Sequence, residues 1–312
     1  MNTATDAVLV GDVGGTHARF GLWHRGALVE QAGWPTSALP SLTACVARLR
    51  GTWRFSQVAV AVAGPVMGRR AALTNAGWAA DLDEIDEDGL LLNDLEAAAW
   101  GCGAGALDGL RALIGGDPPG HGDAAVVGVG TGLGQALWLD EGRAIPGEGG
   151  HAHFAPRDAA ERRLAAFVEA ELGRTVEVED VLSGAGLGRI AAWIEAEGGG
   201  EAPPAADPTA RGRWVVAEQG RHQVAARAGG AFWSLLAGEL RNVALRTLPP
   251  RGVFVVGGLC PRLLPSADLD AIQRAFEGEG PLAWRLRGLS VQLVDDDALA
   301  LRGAAAAAQA RR

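Results

Sequence analysis

Two glycine-rich turns carry the residue types that could bind phosphate. The first, GDVGGT (residues 11–16), follows an apolar run and holds one carboxylate, Asp12. The second, GVGTGLG (residues 128–134), follows another apolar run. Backbone N–H groups in such turns can donate hydrogen bonds to phosphate oxygens. The alternating apolar pattern after each turn predicts a strand, whereas Rossmann and P-loop sites place their glycines between a strand and a helix.

A second group of polar residues suits the binding of carbohydrate hydroxyls, each of which both donates and accepts hydrogen bonds. Asn93 and Asp94 lie where a short apolar strand ends and a helix begins. The other candidates are Asn75 in LTNAGW, Glu148 and His151 in IPGEGGHAHFAP, and Glu179 in VEVEDVLSGAGL. One carboxylate of such a group could also remove a proton from an attacking hydroxyl.

Several of these residues also have another interpretation. Asp12 could only shape its turn, and Asp94 could be the N-cap of the helix that follows it. Glu148 and His151 could ligate zinc, but no third ligand is apparent and the HExxH pattern is absent. The acidic run at residues 81–88 is typical of a solvated surface.

The elements around the two turns repeat. Residues 7–13, 18–23 and 28–34 predict a β-meander, and residues 123–145 have the same order of parts as residues 7–29. This internal duplication predicts two similar domains, each with one hairpin turn for phosphate. Further strands are predicted at 57–64, 89–94 and 252–258, and helices at 40–51, 95–107, 160–173, 185–198, 223–248 and 298–312, with a loop at 198–212.

Composition excludes several classes of protein. The formal net charge of −9 argues against nucleic acid as a partner. The chain has no lysine, so all 28 basic residues are arginine, which excludes a Walker A loop, a protein kinase and a Schiff-base lysine. A nucleotide enzyme of this composition must neutralise phosphate with backbone N–H groups, Mg²⁺ or arginine.

The location predicted from the sequence is the cytoplasm. Three widely spaced cysteines give no disulfide framework and are expected to be reduced, buried thiols. The first residues are too few and too acidic for a signal peptide, and no apolar run approaches the ~20 residues that cross a bilayer. We therefore expect no membrane partner.

Seven stretches in this chain resemble the bacterial glucokinases of the non-ROK hexokinase family. They are LVGDVGGTHAR, LTNAGW, LLNDLEAAA, GVGTGLG, PGEGGHAHFAP, EDVLSGAGL and VVGGLCPR, and they occur in family order over about residues 8–265. The resemblance implies an α/β, two-lobed actin-like (ribonuclease H-like) fold. Each lobe would be a mixed β-sheet flanked by helices, with the active-site cleft between the lobes. We expect a small domain of residues 1–105 plus 296–312 and a large domain of residues 106–295.

The resemblance also implies a role for each candidate residue in the ATP-dependent phosphorylation of glucose. Asp94 would bind the sugar and accept the proton of its 6-hydroxyl, and Asp12 would hold Mg²⁺ through water. The other sugar ligands would be Asn75, Asn93, Glu148, His151 and Glu179. The ATP site would comprise Gly11, Asp12, Val13, Gly14, Gly15, Thr16, Thr131 and Gly132 at the phosphates, with Gly257 and Gly258 at the adenosine. A homodimer is common among the proteins that the chain resembles.

Other functions on the same fold stay open at this level. The substrate could be another hexose or an amino sugar, and the phosphoryl donor could be ADP or polyphosphate. A non-catalytic sugar-responsive regulator would carry a helix-turn-helix, for which the residues before the first strand are too few. A pseudo-enzyme or actin-like scaffold would be expected to lack Asp94 or Asp12, and both are present.

Two departures from the family pattern, and one absence, bear on these expectations. His153 stands where the family often has Asp, and Arg241-Asn242 stands where a Gly-Asn pair is expected. The second departure could alter helix packing or a subunit interface. The Cys/His zinc motif of the ROK relatives is absent, which argues against that branch.

Overall fold

A computed structural model describes residues 6–73, 79–85, 88–104, 107, 109–203, 205 and 207–311. Within these ranges the chain forms strands and helices in mixed α/β order. The strands are β1 (Val8–Val13), β2 (His17–His24), β3 (Ala27–Pro35), β4 (Gln57–Val62), β5 (Val66–Met67), β6 (Arg70–Ala72), β7 (Ala79–Asp81), β8 (Leu90–Asn93), β9 (Leu110–Ile114), β10 (Ala124–Val129), β11 (Leu133–Leu139), β12 (Arg143–Gly147), β13 (Val253–Val256) and β14 (Val291–Val294). The helices are α1 (Leu42–Arg50), α2 (Asp94–Ala104), α3 (Ala159–Leu172), α4 (Val178–Val181), α5 (Gly184–Ala196), α6 (Pro208–Glu218), α7 (Gln223–Thr247), α8 (Leu259–Leu263), α9 (Leu269–Glu277), α10 (Ala283–Leu286) and α11 (Leu299–Ala310).

The two large sheets share one strand order, as the repeated sequence pattern predicted. The first runs β3-β2-β1-β4-β8, and the second runs β12-β11-β10-β13-β14 with β9 added at its edge. In the first sheet, β1 pairs antiparallel with β2 and parallel with β4, and β4 pairs parallel with β8. In the second, β10 pairs parallel with β13 and β13 with β14, whereas β14 pairs antiparallel with β9. Both sheets are therefore mixed, which confirms the predicted fold class.

The first sheet is covered on both faces because its strands alternate between two cores. Val58 and Val60 of β4 face one core, which includes the apolar side of α1. Ala59 and Ala61 face the other, which includes α11. Successive side chains of a strand point to opposite faces, so an almost continuous apolar run such as QVAVAV fits a sheet buried on both sides.

Glycines allow α11 to pack closely against α2. A Cβ atom at Gly303 would collide with the carbonyl oxygen of Ala97, and one at Gly101 would lie 2.6 Å from the carbonyl oxygen of Leu299. The alanines that surround Gly303 are buried in the same core. The Ala-rich end of the chain is thus shaped for a close helix–helix and helix–sheet contact.

The chain divides into two compact units. One comprises Met1–Leu107, Leu137–Pro146 and Asp296–Arg312, and the other comprises Asp108–Ala136 and Gly147–Asp295. In the described part of the chain, no helix has the length and apolar character needed to cross a membrane.

Some elements differ from the sequence expectations. The predicted loop 198–212 ends early, because α6 begins at Pro208 with the side chain of Asp207 accepting a hydrogen bond from the Ala210 N–H. Proline at the first helical position after an Asp cap is a helix-start signal that the Gly/Pro content of the segment obscured. The short elements β5, β6, β7, β9, β14, α4, α9 and α10 were not predicted.

The prediction that the three cysteines are buried thiols without disulfide bonds is confirmed. Cys45, Cys102 and Cys260 are free and buried. Burial raises the pKa of the Cys260 thiol, and it also raises the pKa of the Cys45 thiol against the opposing charge of Arg48. The thiols of Cys45 and Cys260 are therefore protonated and unreactive at neutral pH.

Candidate active site

The first glycine-rich turn joins β1 to β2, and hydrogen bonds to Thr36 hold it in place. The Gly14 N–H donates to the carbonyl of His17 at 2.9 Å, and the Thr36 hydroxyl donates to the Gly14 carbonyl at 2.7 Å. Thr36 is fully buried, and its own N–H donates to the Thr16 carbonyl. Gly15 and Thr16 are exposed, and within the described residues their N–H groups donate to no protein acceptor. A turn held by these hydrogen bonds, with two N–H groups that no protein acceptor uses, suits an anion.

Three members of the predicted phosphate set, Gly11, Asp12 and Val13, lie in β1 and not in the turn. Gly11 is buried in β1, where an added Cβ would lie 3.0 Å from the ring of Phe20. Val13 is fully buried in the core, and its carbonyl accepts from the Ala63 N–H at 3.0 Å. These positions support the turn from within the sheet.

Asp12 lies near the carboxyl end of β1 beside an arginine. Its Oδ2 accepts a hydrogen bond from Arg19 Nη2 at 2.8 Å, and the side chain is 16% exposed. Asp12 pairs with Arg19 in the β1–β2 ladder, which sets the two side chains side by side. Asp297 lies 3.7 Å from the same guanidinium and is fully exposed. The ion pair gives Asp12 a structural contact between β1 and β2.

Asn93 and Glu96 form a reciprocal cap at the start of α2. Asn93 Oδ1 accepts from the N–H groups of Leu95 (2.9 Å) and Glu96 (3.3 Å), while Glu96 Oε2 accepts from the Asn93 N–H (3.4 Å). Asn93 Nδ2 also donates to the Gly64 carbonyl at 3.2 Å. Burial raises the pKa of Glu96, while the Asn93 N–H and the charge of Arg311 oppose this shift. Such a capping box ends the strand and starts the helix at a defined residue.

This cap places Asp94 as the first residue of α2, at the carboxyl end of β8. The capping role that the sequence allowed for Asp94 is held largely by Asn93, although Asp94 Oδ1 also accepts from the Leu95 N–H at 2.9 Å. The first turn of a helix favours negative charge because its backbone N–H groups point outward there. Asp94 is partly exposed.

Asp12 and Asp94 lie on the same edge of the first sheet. β1, β4 and β8 are neighbouring parallel strands, so their carboxyl ends meet at one edge. Two strand spacings amount to about 10 Å. Ligands of α/β sheets bind at the carboxyl ends of the strands. The phosphate turn and the candidate base are therefore within reach of one ligand.

The second glycine-rich turn, between β10 and β11, lies against Glu179. The Gly130 N–H donates to the Gly132 carbonyl, and the Gly130 carbonyl accepts from the Gly184 N–H, both at 2.9 Å. Glu179 Oε2 accepts from the Leu133 N–H at 2.8 Å. A Cβ atom at Gly132 would displace this carboxylate. One predicted sugar ligand thus directly supports one predicted phosphate turn.

Glu148 precedes a single turn of 3-10 helix, Gly149–His151, and His151 is its last residue. The His151 N–H donates to the Glu148 carbonyl at 3.1 Å, so the two residues are held together. Gly150 is buried against the Leu133 carbonyl and lies beside Glu179, where a Cβ would be 3.6 Å from the Cβ of Glu179. The structure therefore brings together Glu148, His151 and Glu179 within the second unit.

Gly257 and Gly258 follow β13 as exposed backbone. Gly257 has φ +96°, and an added Cβ would lie 2.5 Å from the carbonyl oxygen of Val129 at the end of β10. Only glycine fits this position. The pair therefore lies next to the second phosphate turn, which begins at Gly130. Asn75, the remaining predicted sugar ligand, lies outside the described residues.

Comparison with known proteins decides the family. The family profile described as Glucokinase matches residues 9–311 of the chain. The glucokinase of Sinorhizobium fredii is 31% identical over 98% of this chain and 93% of its own length.

The chain belongs to the glucokinase family.

Solved glucokinase structures share the fold. Glucokinase from an Antarctic psychrotroph superposes with a TM-score of 0.84 and 25% identity, over 98% of this chain and 99% of that one. A ROK family glucokinase from Streptomyces griseus, solved with glucose and AMPPNP, gives a TM-score of 0.63 and 22% identity, over 96% of this chain and 98% of that one. The predicted resemblance to the glucokinase family is confirmed, and so is the actin-like fold.

Metal binding in this member of the glucokinase family would rest on Asp12. Among the described residues, no three His, Cys, Asp or Glu side chains cluster so as to hold a metal ion, which also disfavours the zinc interpretation of Glu148 and His151. Mg²⁺ commonly keeps several waters and is bound by one or two carboxylates together with substrate phosphates. A single Asp12 carboxylate beside a phosphate turn fits that donor set.

Sequence reasoning missed several residues that hold the site in place. They are Arg19, Thr36, Glu96, Gln135, Glu177 and Glu239. Gln135 lies against Gly149 and donates to the buried carboxylate of Glu239 at 2.9 Å, which also accepts from Asn242. Only Glu96 had a sequence signal, the N-x-x-E spacing of a capping box.

The Arg241-Asn242 departure acts on helix packing. Arg241 donates to the carbonyl of Phe276, at 2.9 Å, and to that of Glu277, at the end of α9. Asn242 donates to Glu239 at 3.1 Å. An arginine that satisfies the last carbonyls of a neighbouring helix stabilises the end of that helix.

Proposed function

We propose that the chain phosphorylates D-glucose at the 6-hydroxyl with ATP, giving glucose 6-phosphate and ADP. Membership of the glucokinase family supports this activity. The observation that carries the proposal is the position of Asp94 at the start of α2, on the same sheet edge as the β1–β2 phosphate turn. That edge offers a proton acceptor and, about two strand spacings away, N–H groups that can donate hydrogen bonds to an anion.

Asp94 would act as the general base. The 6-hydroxyl of glucose transfers its proton to the Asp94 carboxylate as the oxygen attacks the γ-phosphorus of ATP. Phosphoryl transfer needs little covalent chemistry from a protein, so positioning and charge neutralisation carry most of the catalysis. Among the described residues, Asn93 has one amide hydrogen left for a sugar hydroxyl, because its oxygen caps α2 and its other amide hydrogen is donated to the Gly64 carbonyl.

The remaining sugar hydroxyls would bind to Glu148, His151 and Glu179, and also to Asn75. The carboxylates accept hydrogen bonds and the imidazole can donate or accept, which matches the dual character of a hydroxyl. Because Glu179 already accepts from the Leu133 N–H, it links sugar binding to the second phosphate turn.

The phosphates of ATP would be bound by the N–H groups of Gly15 and Thr16, together with the turn at Thr131 and Gly132. Gly257 and Gly258 would contribute the bare backbone against which the adenosine lies. Mg²⁺, held through water by Asp12, would neutralise negative charge on the phosphates. ATP as the donor is further supported by the Streptomyces griseus neighbour, which was solved with AMPPNP.

A coupled assay tests this function. Glucose 6-phosphate formation is followed through glucose 6-phosphate dehydrogenase with ATP, ADP or polyphosphate as donor, and ADP release is followed with glucose, mannose, galactose and glucosamine as acceptors. We expect the highest kcat/KM for glucose with ATP. A tenfold higher kcat/KM for another acceptor would reassign the substrate, and product formation only from ADP or polyphosphate would reassign the donor.

A further inference from the structure

A carboxylate that the family resemblance did not assign lies against His151. Glu177 Oε2 is 2.9 Å from His151 Nδ1. The His151 side chain is 58% exposed, so the rest of its ring is accessible to a ligand, while Glu177 is only 28% exposed. Glu177 precedes α4, two residues before the candidate sugar ligand Glu179.

The backbone fixes Glu177 opposite the loop that carries His151. The Phe154 N–H donates to the Val176 carbonyl, and the Val178 N–H donates to the Ala152 carbonyl, both at 2.9 Å. These two hydrogen bonds bracket an antiparallel bridge between His153 and Glu177. The contact between Glu177 and His151 therefore follows from the register of two extended segments.

A second set of contacts holds Glu177 itself. Its N–H donates to Asp180 Oδ2 at 2.8 Å, and Asp180 is buried in a two-point ion pair with Arg174, at 2.8 and 2.9 Å. The Arg174 guanidinium lies 3.8 Å from the other oxygen of Glu177. Two ion pairs and a backbone bond thus restrict where the Glu177 carboxylate can point.

The charges that face His151 are negative. The hydrogen bond to Glu177 raises the pKa of His151, partial burial opposes this shift, and the charges of Glu179, Glu177 and Glu148 add to it. Arg174, on the far side of Glu177, is the nearby cation. An ionised carboxylate accepts hydrogen bonds and cannot donate them, so the hydrogen between the two side chains belongs to Nδ1 of His151.

We infer that Glu177 is a positioning residue, which keeps the proton of neutral His151 on Nδ1 and leaves Nε2 as a hydrogen-bond acceptor for one hydroxyl of glucose. This role rests on the proposed sugar phosphorylation. A carboxylate that fixes the tautomer of a functional histidine is an established device in other sites. Below the raised pKa of His151 both ring nitrogens carry protons, so the same nitrogen becomes a donor. Sugar binding therefore depends on pH through His151.

The direct test is the tautomer of His151 in the free protein. Long-range ¹H–¹⁵N spectra of the imidazole rings, with the His151 signals identified by their loss in His151→Gln, report which nitrogen is protonated above the pKa. We expect Nδ1–H in the wild type, and a shift toward Nε2–H in Glu177→Ala. Wild-type His151 with its proton on Nε2 would overturn the inference, whatever the substrate of the enzyme.

Enzyme kinetics test whether Glu177 affects glucose binding. Glu177→Gln keeps the size of the side chain but removes its charge, so we expect the pKa of His151 to fall because the hydrogen bond to a carboxylate that raises it is lost. The KM for glucose should rise about three- to tenfold while the KM for ATP and kcat change less than twofold. Glu197→Gln is the matched control, because Glu197 forms an exposed ion pair with Arg163 in the same unit and should change neither quantity.

The outcomes separate the two proposals. Equal increases in the KM for glucose and for ATP, or an unchanged pKa of His151 in Glu177→Gln, would contradict the positioning role of Glu177. A protein that shows the expected tautomer but phosphorylates no hexose would leave the His151–Glu177 pairing in place and overturn the proposed function instead.

Discussion

At the scale of single residues, the start of α2 assigns different tasks to adjacent side chains. Asn93 and Glu96 satisfy the backbone of the helix terminus, so Asp94 is not needed as the principal cap. From the sequence alone, Asp94 was the candidate N-cap of this helix. The structure decides the matter through hydrogen bonds that only the folded backbone can offer.

Asp94→Asn tests the general base without changing the size of the side chain. We expect kcat to fall about 10²- to 10⁴-fold, the usual contribution of a general base, because the amide cannot accept the proton of the hydroxyl. Binding of glucose and ATP by calorimetry and the Tm should stay near wild type. A variant that keeps a tenth or more of its turnover would show that another group removes the proton.

Asp12→Asn tests the proposed Mg²⁺ contact. The amide retains a hydrogen-bond acceptor for Arg19 but loses the charge that would attract a cation, so we expect the Mg²⁺ concentration for half-maximal activity to rise about tenfold. Asp297→Asn is the control, because Asp297 also lies near Arg19 but is fully exposed. Titrations of activity and of ATP binding with Mg²⁺ measure the effect, and identical Mg²⁺ dependence in the wild type and in Asp12→Asn would remove Asp12 from the metal site.

At the scale of elements, long and strongly patterned segments were predicted well. The strand after Gln57, the long helix from Gln223 and the repeated hairpins all follow from apolar periodicity. Short elements such as β14 and α9 were missed, because a few apolar residues do not distinguish a strand from a helix without their neighbours. The start of α6 was predicted as part of a loop, because proline is typical both of loops and of the first position of a helix.

The contact between α2 and α11 yields a prediction with an internal control. Gly303→Ala places a methyl group against the carbonyl of Ala97, so we expect unfolding free energy to fall by about 1–3 kcal/mol. Gly230→Ala, on the exposed side of α7 with no atom near its added Cβ, should raise it by about 0.4–1 kcal/mol. Urea denaturation measures both values, and an equal response to the two substitutions would mean that the packing of α11 does not depend on Gly303.

At the scale of the whole molecule, neither compact unit is one continuous stretch of the chain. The first unit is completed by Leu137–Pro146 and by Asp296–Arg312, so the end of the chain returns to the sheet that its beginning forms. The predicted domain bounds, the homodimer and the cytoplasmic location stay predictions. The net charge of −9, with no lysine, is consistent with anion binding by local dipoles and arginine.

Removing residues 296–312 tests this organisation. α11 covers one face of the first sheet, including Val8, Val10 and Ala59, and we expect the truncated chain to expose this apolar face and lose cooperative unfolding. Binding of a hydrophobic dye and thermal unfolding followed by circular dichroism measure the effect. Removal of Arg311 and Arg312 alone, which lie beyond α11, should leave the Tm within about 2 °C. A truncated chain that unfolds at the wild-type Tm would show that the first unit folds without α11.

The sequence by itself determined the duplicated hairpins, the two glycine-rich turns, the family and the residue types of the candidate sugar site. These depend on local periodicity and on short motifs, which are properties of neighbouring residues in the chain. Only the tertiary structure decided that Asn93 and Glu96 cap α2, that Arg19 pairs with Asp12, and that Glu177 holds His151. Each of these contacts depends on helix termini, strand register or the pairing of extended segments, and so on positions that exist only after the backbone has folded.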